Sequence, residues 1–247
     1  MNGTKNVIIT GGATGIGAAC SRLFAGNGYN VIINWNSSEE AAKSLEAGIR
    51  RSGGSAFAVR ADVSTPEGAE TLVDRCVSLF GAPDVLVNNA GIAPVQKLIT
   101  DVTPDEYRRV MDVNMGGAFY CSRAALPSMI HEKSGSIVNI SSIWGRIGGS
   151  CETVYSASKG AVIAFTKALA KEVGPSGIRV NCVCPGVVDT RMNAHLDGES
   201  LKELAGAIPL CRIGTPEEIA GAVLFLASPR SSFITGAVLD ADGGGLC

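Results

Sequence analysis

Val7-Ile8-Ile9-Thr10-Gly11-Gly12-Ala13-Thr14-Gly15-Ile16-Gly17 begins as an apolar, β-branched run and breaks into glycines. A helix-forming segment from Ala18 to Gly26 follows at once. Strand, glycine turn and helix in that order make a cradle for a dinucleotide. Gly11 suits the tight turn, Gly15 lets backbone approach a pyrophosphate, and Gly17 permits close helix–strand packing. Thr14 and Ile16 lie in the same loop, and the helix N-terminus attracts negative charge. A glycine turn taken alone is also what any loop needing positive φ would use.

Working outward, β-branched runs alternate with longer helical stretches: Val7 to Thr10, Val31 to Asn34, Ala56 to Val59, Val85 to Asn88, Ser136 to Ser141, Arg179 to Cys184 and Val238 to Asp240. Helix starts are expected at Ser37-x-x-Glu40, Ser64-x-x-Glu67, Thr103-Pro104-Asp105-Glu106 and Thr215-Pro216-Glu217-Glu218, each a hydroxyl with a carboxylate three residues on. Such alternation predicts an α/β fold: a doubly wound parallel sheet of about seven strands with helices on both faces, and ligands at the carboxyl ends of the strands. No linker, low-complexity tract or repeat interrupts residues 1–247, so one domain is expected.

The 247 residues are 46% hydrophobic and 18% charged, with 21 Lys+Arg against 23 Asp+Glu. A net charge of −2 without a basic run excludes nucleic acid as a partner. The start, Met1-Asn2-Gly3-Thr4-Lys5, lacks the apolar core of a signal peptide, and no stretch reaches the roughly 20 apolar residues of a membrane span. A cytoplasmic protein away from membranes is expected. The eight cysteines form no Cys-x-x-Cys pair; Cys182 and Cys184 would share one face of a strand, and no metal site is expected.

Asp62-Val63 follows the third strand and Asn89-Ala90-Gly91 the fourth. Both suit a dinucleotide site, although a helix cap and a strand-end turn would use the same residues. No Asp or Glu stands from Asn34 to Ser38, about 20 residues past the glycines, where a carboxylate would bind a ribose 2′-hydroxyl. Asn36 and Ser37 offer neutral donors there, which favours NADP(H), without the arginine fork that would be the strong signal. Tyr155-x-x-x-Lys159 opens a helical stretch running to about Val173, placing the pair on one face. The ammonium there is expected to lower the phenol's pKa, although an ordinary helix-surface pair has the same spacing.

Taken together, Thr10-Gly11-x-x-x-Gly15-x-Gly17, Asn88-Asn89-Ala90-Gly91, Asn114, Ser142, Tyr155-x-x-x-Lys159 and Pro185-Gly186 resemble the short-chain dehydrogenase/reductase family, in family order across almost the whole chain. The resemblance implies a Rossmann-like fold and a homotetramer. It makes Tyr155 the general acid and gives the substrate carbonyl to Ser142, chosen over Ser141 by a spacing of 13 residues to the tyrosine. Lys159 would bind the nicotinamide ribose, Asn114 would position a water for a proton relay, and cofactor contacts would extend to Pro185, Gly186, Val188 and Thr190. The region 187–209 looks like a substrate lid.

Within the family, Asn34-x-Asn36-Ser37-Ser38-Glu39-Glu40 resembles 3-oxoacyl-[acyl-carrier-protein] reductases. Ser142-Ile143-Trp144-Gly145 with Gly149-Ser150-Cys151-Glu152 resembles elongation factor P 5-aminopentanone reductases, which act on a lysine-linked ketone. The partner is then a ketone substrate, carrier- or protein-linked. Glu152 would suit a protonated amine, and Ser136 and Ser176, aligned with basic docking residues of the carrier-protein enzymes, would weaken that docking patch. A non-catalytic NADP-binding sensor is the reading from another class.

Overall fold

The β-branched runs extend side by side because only a sheet lets two faces of alternating apolar side chains be buried at once. In the structure, a computed structural model describing residues 4–190 and 198–245, the strands are β1 (Asn6–Ile9), β2 (Asn30–Trp35), β3 (Ser55–Arg60), β4 (Val85–Asn88), β5 (Gly135–Ile140), β6 (Ile178–Pro185) and β7 (Val238–Ala241). They form one parallel sheet in the order β3-β2-β1-β4-β5-β6-β7. The expected strands are all present, with ends shifted by at most one residue.

Along β1, Val7 and Ile9 enter one core while Ile8 enters the other. The first core is closed by α1 (Gly15–Gly26), α2 (Glu39–Arg51) and α9 (Pro216–Ala227), through residues such as Phe24, Ile49 and Leu226. The second is closed by α3 (Pro66–Phe80), α5 (Gly117–Glu132) and α7 (Thr153–Val173), through Leu72, Met129 and Leu169. The helix α8 (Gly198–Ala207) follows the undescribed stretch, and the short α6 (Trp144–Ile147) follows β5. No helix among the described residues is long and apolar enough to cross a membrane. Connections leave β1 toward β2 on one side and return to β4 on the other, and the crevice at this reversal fixes where a ligand can lie.

Two of the four expected helix starts form complete capping boxes, at Thr103 ahead of α4 (Pro104–Met111) and at Thr215 ahead of α9. The other two are corrected. Ser64 is taken by Asp62, donating its hydroxyl to Oδ1 at 2.6 Å, so Thr65 caps α3 and Pro66 fills the first position, where no N–H is needed. α2 begins at Glu39, one residue later than a Ser37 cap would place it, with Glu39 and Glu40 against the positive end of its dipole. After α4 the chain makes a π-helical turn, Asp112–Gly116, before entering α5.

Because the α4 cap anchors the approach to that turn, Thr103→Ala is expected to cost about 1 kcal/mol of stability. Urea unfolding followed by circular dichroism measures it.

Candidate active site

The glycine loop is held by a clasp between the ends of β1 and β4. The Thr10 hydroxyl accepts the backbone N–H of Asn89 at 2.9 Å and of Ala90 at 3.0 Å. Asn89 Nδ2 donates back to the carbonyls of Thr10 at 2.9 Å and Gly11 at 3.2 Å. Gly11 and Gly15 have φ of 59° and 52°, a conformation side-chain-bearing residues rarely adopt. A Cβ on Gly17 would lie 2.2 Å from the Gly11 carbonyl oxygen, so only glycine lets α1 start this close to the loop. Asn34 braces the far side, accepting Gly11 N–H and donating to the Ala61 carbonyl, and is thereby committed to structure. The cradle and helix start fit the pyrophosphate of a dinucleotide.

Asp62 accepts hydrogen bonds from Ser64 and Asn36, and these, Ser64 foremost, hold its carboxyl below the usual range despite partial burial. Arg109 of α4 approaches it to 3.9 Å. Asn36, Ser37, Asp62 and Val63 therefore sit at the ends of β2 and β3, outside the main cavity. That cavity, about 520 Å³, is lined by Gly11, Thr14, Gly15, Ile16, Asn89, Ala90 and Gly91 on the loop side. Ser142, Tyr155, Lys159, Pro185, Gly186, Val188 and Thr190 line the other side. Ile92, Ala93 and Ile140 also line it and were not anticipated, because apolar residues leave no mark in a motif; Ser141, set aside in favour of Ser142, lines it as well.

Ser142 follows β5, and its hydroxyl accepts the Trp144 N–H at 3.2 Å and is hydrogen-bonded to Tyr155. Ser141 is committed elsewhere, donating its hydroxyl to the Lys159 carbonyl at 2.8 Å and its N–H to Val183. Lys159 is 4% exposed, with Nζ donating to the Ile140 carbonyl at 2.9 Å and standing 5.8 Å from the Tyr155 ring centre. Asn114, in the π-helical turn, clamps Ile92 by accepting its N–H at 2.8 Å and donating to its carbonyl at 3.0 Å; its amide also donates to the Ser158 hydroxyl. A Cβ on Gly91 would lie 3.2 Å from Lys159 Nζ and 3.3 Å from Asn114 Oδ1, so the two polar groups converge over this glycine.

The expectation that Lys159 lowers the tyrosine's pKa is corrected. Burial pushes Tyr155 up to about 12; the hydrogen bond from Ser142 opposes the rise and the Glu152 carboxylate adds to it. Burial also brings Lys159 down to about 8, against a smaller opposing effect of Cys182 and Cys184. Desolvation outweighs the ammonium's attraction for a phenolate, so Tyr155 stands as a neutral proton donor at neutral pH.

Glu152 lies outside the cavity lining, one turn before Tyr155 and 9% exposed. Its Oε1 accepts from Gln96 Nε2 at 3.0 Å; Oε2 is buried with no hydrogen-bond partner among the described residues. The docking reading of Ser136 is overturned. Its side chain is buried, donating to the Leu226 carbonyl, and it pairs with Val85 and Arg179 at the amino edge of the sheet, opposite the site. Ser176 sits beyond the far end of α7, in the short turn Gly174–Ser176. Of the expected lid, residues 191–197 lie outside the described residues.

An α/β protein with a dinucleotide loop facing a Ser–Tyr–Lys cluster is the class that this architecture defines. Residues 11–245 match the family described as Enoyl-(Acyl carrier protein) reductase. The chain is 45% identical to the 3-oxoacyl-[acyl-carrier-protein] reductase FabG of Chlamydia muridarum, over 97% of this chain and 96% of that one. It is 41% identical to the uncharacterized oxidoreductase YmfI of Bacillus subtilis, over 98% and 99%. To FabG of Staphylococcus aureus (strain Mu50 / ATCC 700699) it is 37% identical, over 99% of both chains. The chain belongs to the short-chain dehydrogenase/reductase family and is an oxidoreductase of the kind that uses a nicotinamide cofactor.

The two shifted pKa values leave opposite marks on stability. Lys159 has its proton affinity depressed on folding, so stability is expected to rise as pH climbs from about 8 toward 10.5. Tyr155 holds its proton to about 12, so stability is expected to fall from pH 10 upward. Lys159→Met should abolish the rise and Tyr155→Phe the fall in denaturant melts across this range.

Proposed function

We propose that the chain is an NADPH-dependent carbonyl reductase that converts a ketone into a secondary alcohol, with the 3-oxoacyl group of a carrier-linked substrate as the first reading. The observation that carries it is the Ser142–Tyr155 hydroxyl pair, beside Lys159 in the cavity that also holds the glycine loop. Two hydroxyls converging on one point suit a carbonyl oxygen that gains negative charge. The cofactor supplies the hydride to the carbonyl carbon. Tyr155, neutral at working pH, gives its proton to the oxygen while Ser142 shares the developing charge. Lys159 and Asn114, meeting over Gly91, hold the path by which the tyrosine is reprotonated. Glycine loop, Pro185 and Gly186 hold the dinucleotide, and the absence of a carboxylate from Asn34 to Ser38 leaves room for a 2′-phosphate. Self-association is part of this reading: Ile147, Phe225, Phe233 and Leu239 are exposed on and around the β7 side, and Phe119 and Ile130 on α5, a pattern suited to a homotetramer.

A second reading, a lysine-linked amino-ketone as in elongation factor P 5-aminopentanone reductases, is favoured by Glu152. A buried carboxylate oxygen without a donor is costly, and a substrate ammonium would satisfy it. The docking argument from Ser136 gives this reading no support.

Tyr155→Phe is expected to reduce ketone-dependent NADPH oxidation by ~10² to 10⁴ while dinucleotide binding persists; near-normal turnover sinks the mechanism. To choose between substrates, Glu152→Gln is expected to lower kcat/KM for an amino-ketone, relative to a neutral ketone of the same size, by about fivefold through KM. An unchanged ratio returns the assignment to carrier-linked 3-oxoacyl groups.

A further inference from the structure

The sequence lacks an arginine where β2 meets its following turn, but the sheet brings one there from another strand. β2 and β3 are paired in parallel from Asn30↔Ser55 to Trp35↔Arg60, so Trp35 and Arg60 are the last pair at the carboxyl edge. Both follow Val31, Ile33, Ala56 and Ala58 on the same face of the sheet. Trp35 is buried and Arg60 exposed, and the guanidinium carbon lies 5.7 Å from the centre of the tryptophan ring. This stack limits the freedom of an arginine that would otherwise sample many rotamers.

Its fork is not consumed by an ion pair. Among the described residues no carboxylate lies within 4.0 Å of Arg60, and Glu39, whose carboxylate it helps to stabilise, is paired with Lys43 at 2.6 Å. Arg109, the other guanidinium near this edge, is directed at Asp62 and Ser64.

The edge is also tied to the pyrophosphate loop. Gly12 N–H donates to the Asn34 carbonyl at 2.9 Å and Gly11 N–H to the Asn34 side chain at 3.1 Å. A dinucleotide whose pyrophosphate rests on that loop carries its adenosine ribose over the end of β2. Arg60 stands one strand farther out, about 4.8 Å away in the sheet.

We propose that Arg60, held on Trp35, is the specificity-determining residue that receives the 2′-phosphate of NADPH, in place of an arginine from the turn after β2. Asn36 and Ser37 then frame the phosphate from the turn while the planar fork engages two of its oxygens. This rests on the NADPH reading above.

The test is nucleotide binding, measured without turnover. Dissociation constants of NADPH, NADH and 2′,5′-ADP are determined by calorimetry for the wild type, Arg60→Lys and Arg60→Met, the last keeping an aliphatic cover on Trp35. Arg60→Met is expected to weaken NADPH and 2′,5′-ADP by about tenfold and NADH by less than about twofold, with Arg60→Lys between. Equal weakening of NADPH and NADH would show that the stack only supports the strand ends, and unchanged NADPH binding would show that another group reads the phosphate. Either result overturns the proposal. A wild type that binds NADH as tightly as NADPH overturns the NADPH reading itself.

Discussion

Everything at the carboxyl edge depends on how closely α1 approaches the end of β1. The Gly17 backbone sits where any Cβ would be driven into the Gly11 carbonyl, and the Thr10–Asn89 clasp fixes that carbonyl from the neighbouring strand. If either gives way, the loop and the start of α1 lose the close spacing that the two hold together. The cost of two positive-φ glycines is offset by hydrogen bonds that cross the sheet between residues nearly 80 positions apart.

The Ser142–Tyr155–Lys159 cluster shows the opposite balance, with burial setting its protonation. Tyr155 and Lys159 stand four residues apart on α7, the geometry in which an ammonium could stabilise a phenolate. Both are almost wholly buried, and desolvation disfavours the charged form of each, raising one pKa and lowering the other. Their values move apart, each toward the neutral form, leaving a neutral acid beside a lysine whose proton is unusually easy to lose.

Polar groups near the site separate into those satisfied by the fold and those left over. The Asn114 amide holds Ile92, and the Ser141 hydroxyl holds the Lys159 backbone. Glu152 Oε2 is left without a donor among the described residues, against the general tendency of buried oxygens to be paired. That inequality separates scaffold from candidate recognition groups better than position in the sequence does.

By itself the sequence determined the strands, the glycine loop and the Tyr155–Lys159 spacing, because each rests on a period or a run of neighbouring residues that physics reads locally. It also marked the Thr103 and Thr215 caps, where hydroxyl and carboxylate lie within one turn. What it could not decide were the contests between partners distant in the chain. Ser64 was claimed by Asp62 and not by a helix end, and Ser136 was buried at the far edge of the sheet. Desolvation overrode charge at Tyr155, and strand register delivered Arg60 to Trp35 across 25 residues of sequence. Those outcomes depend on burial and on which strands pair, quantities that exist only once the chain has closed around its two cores.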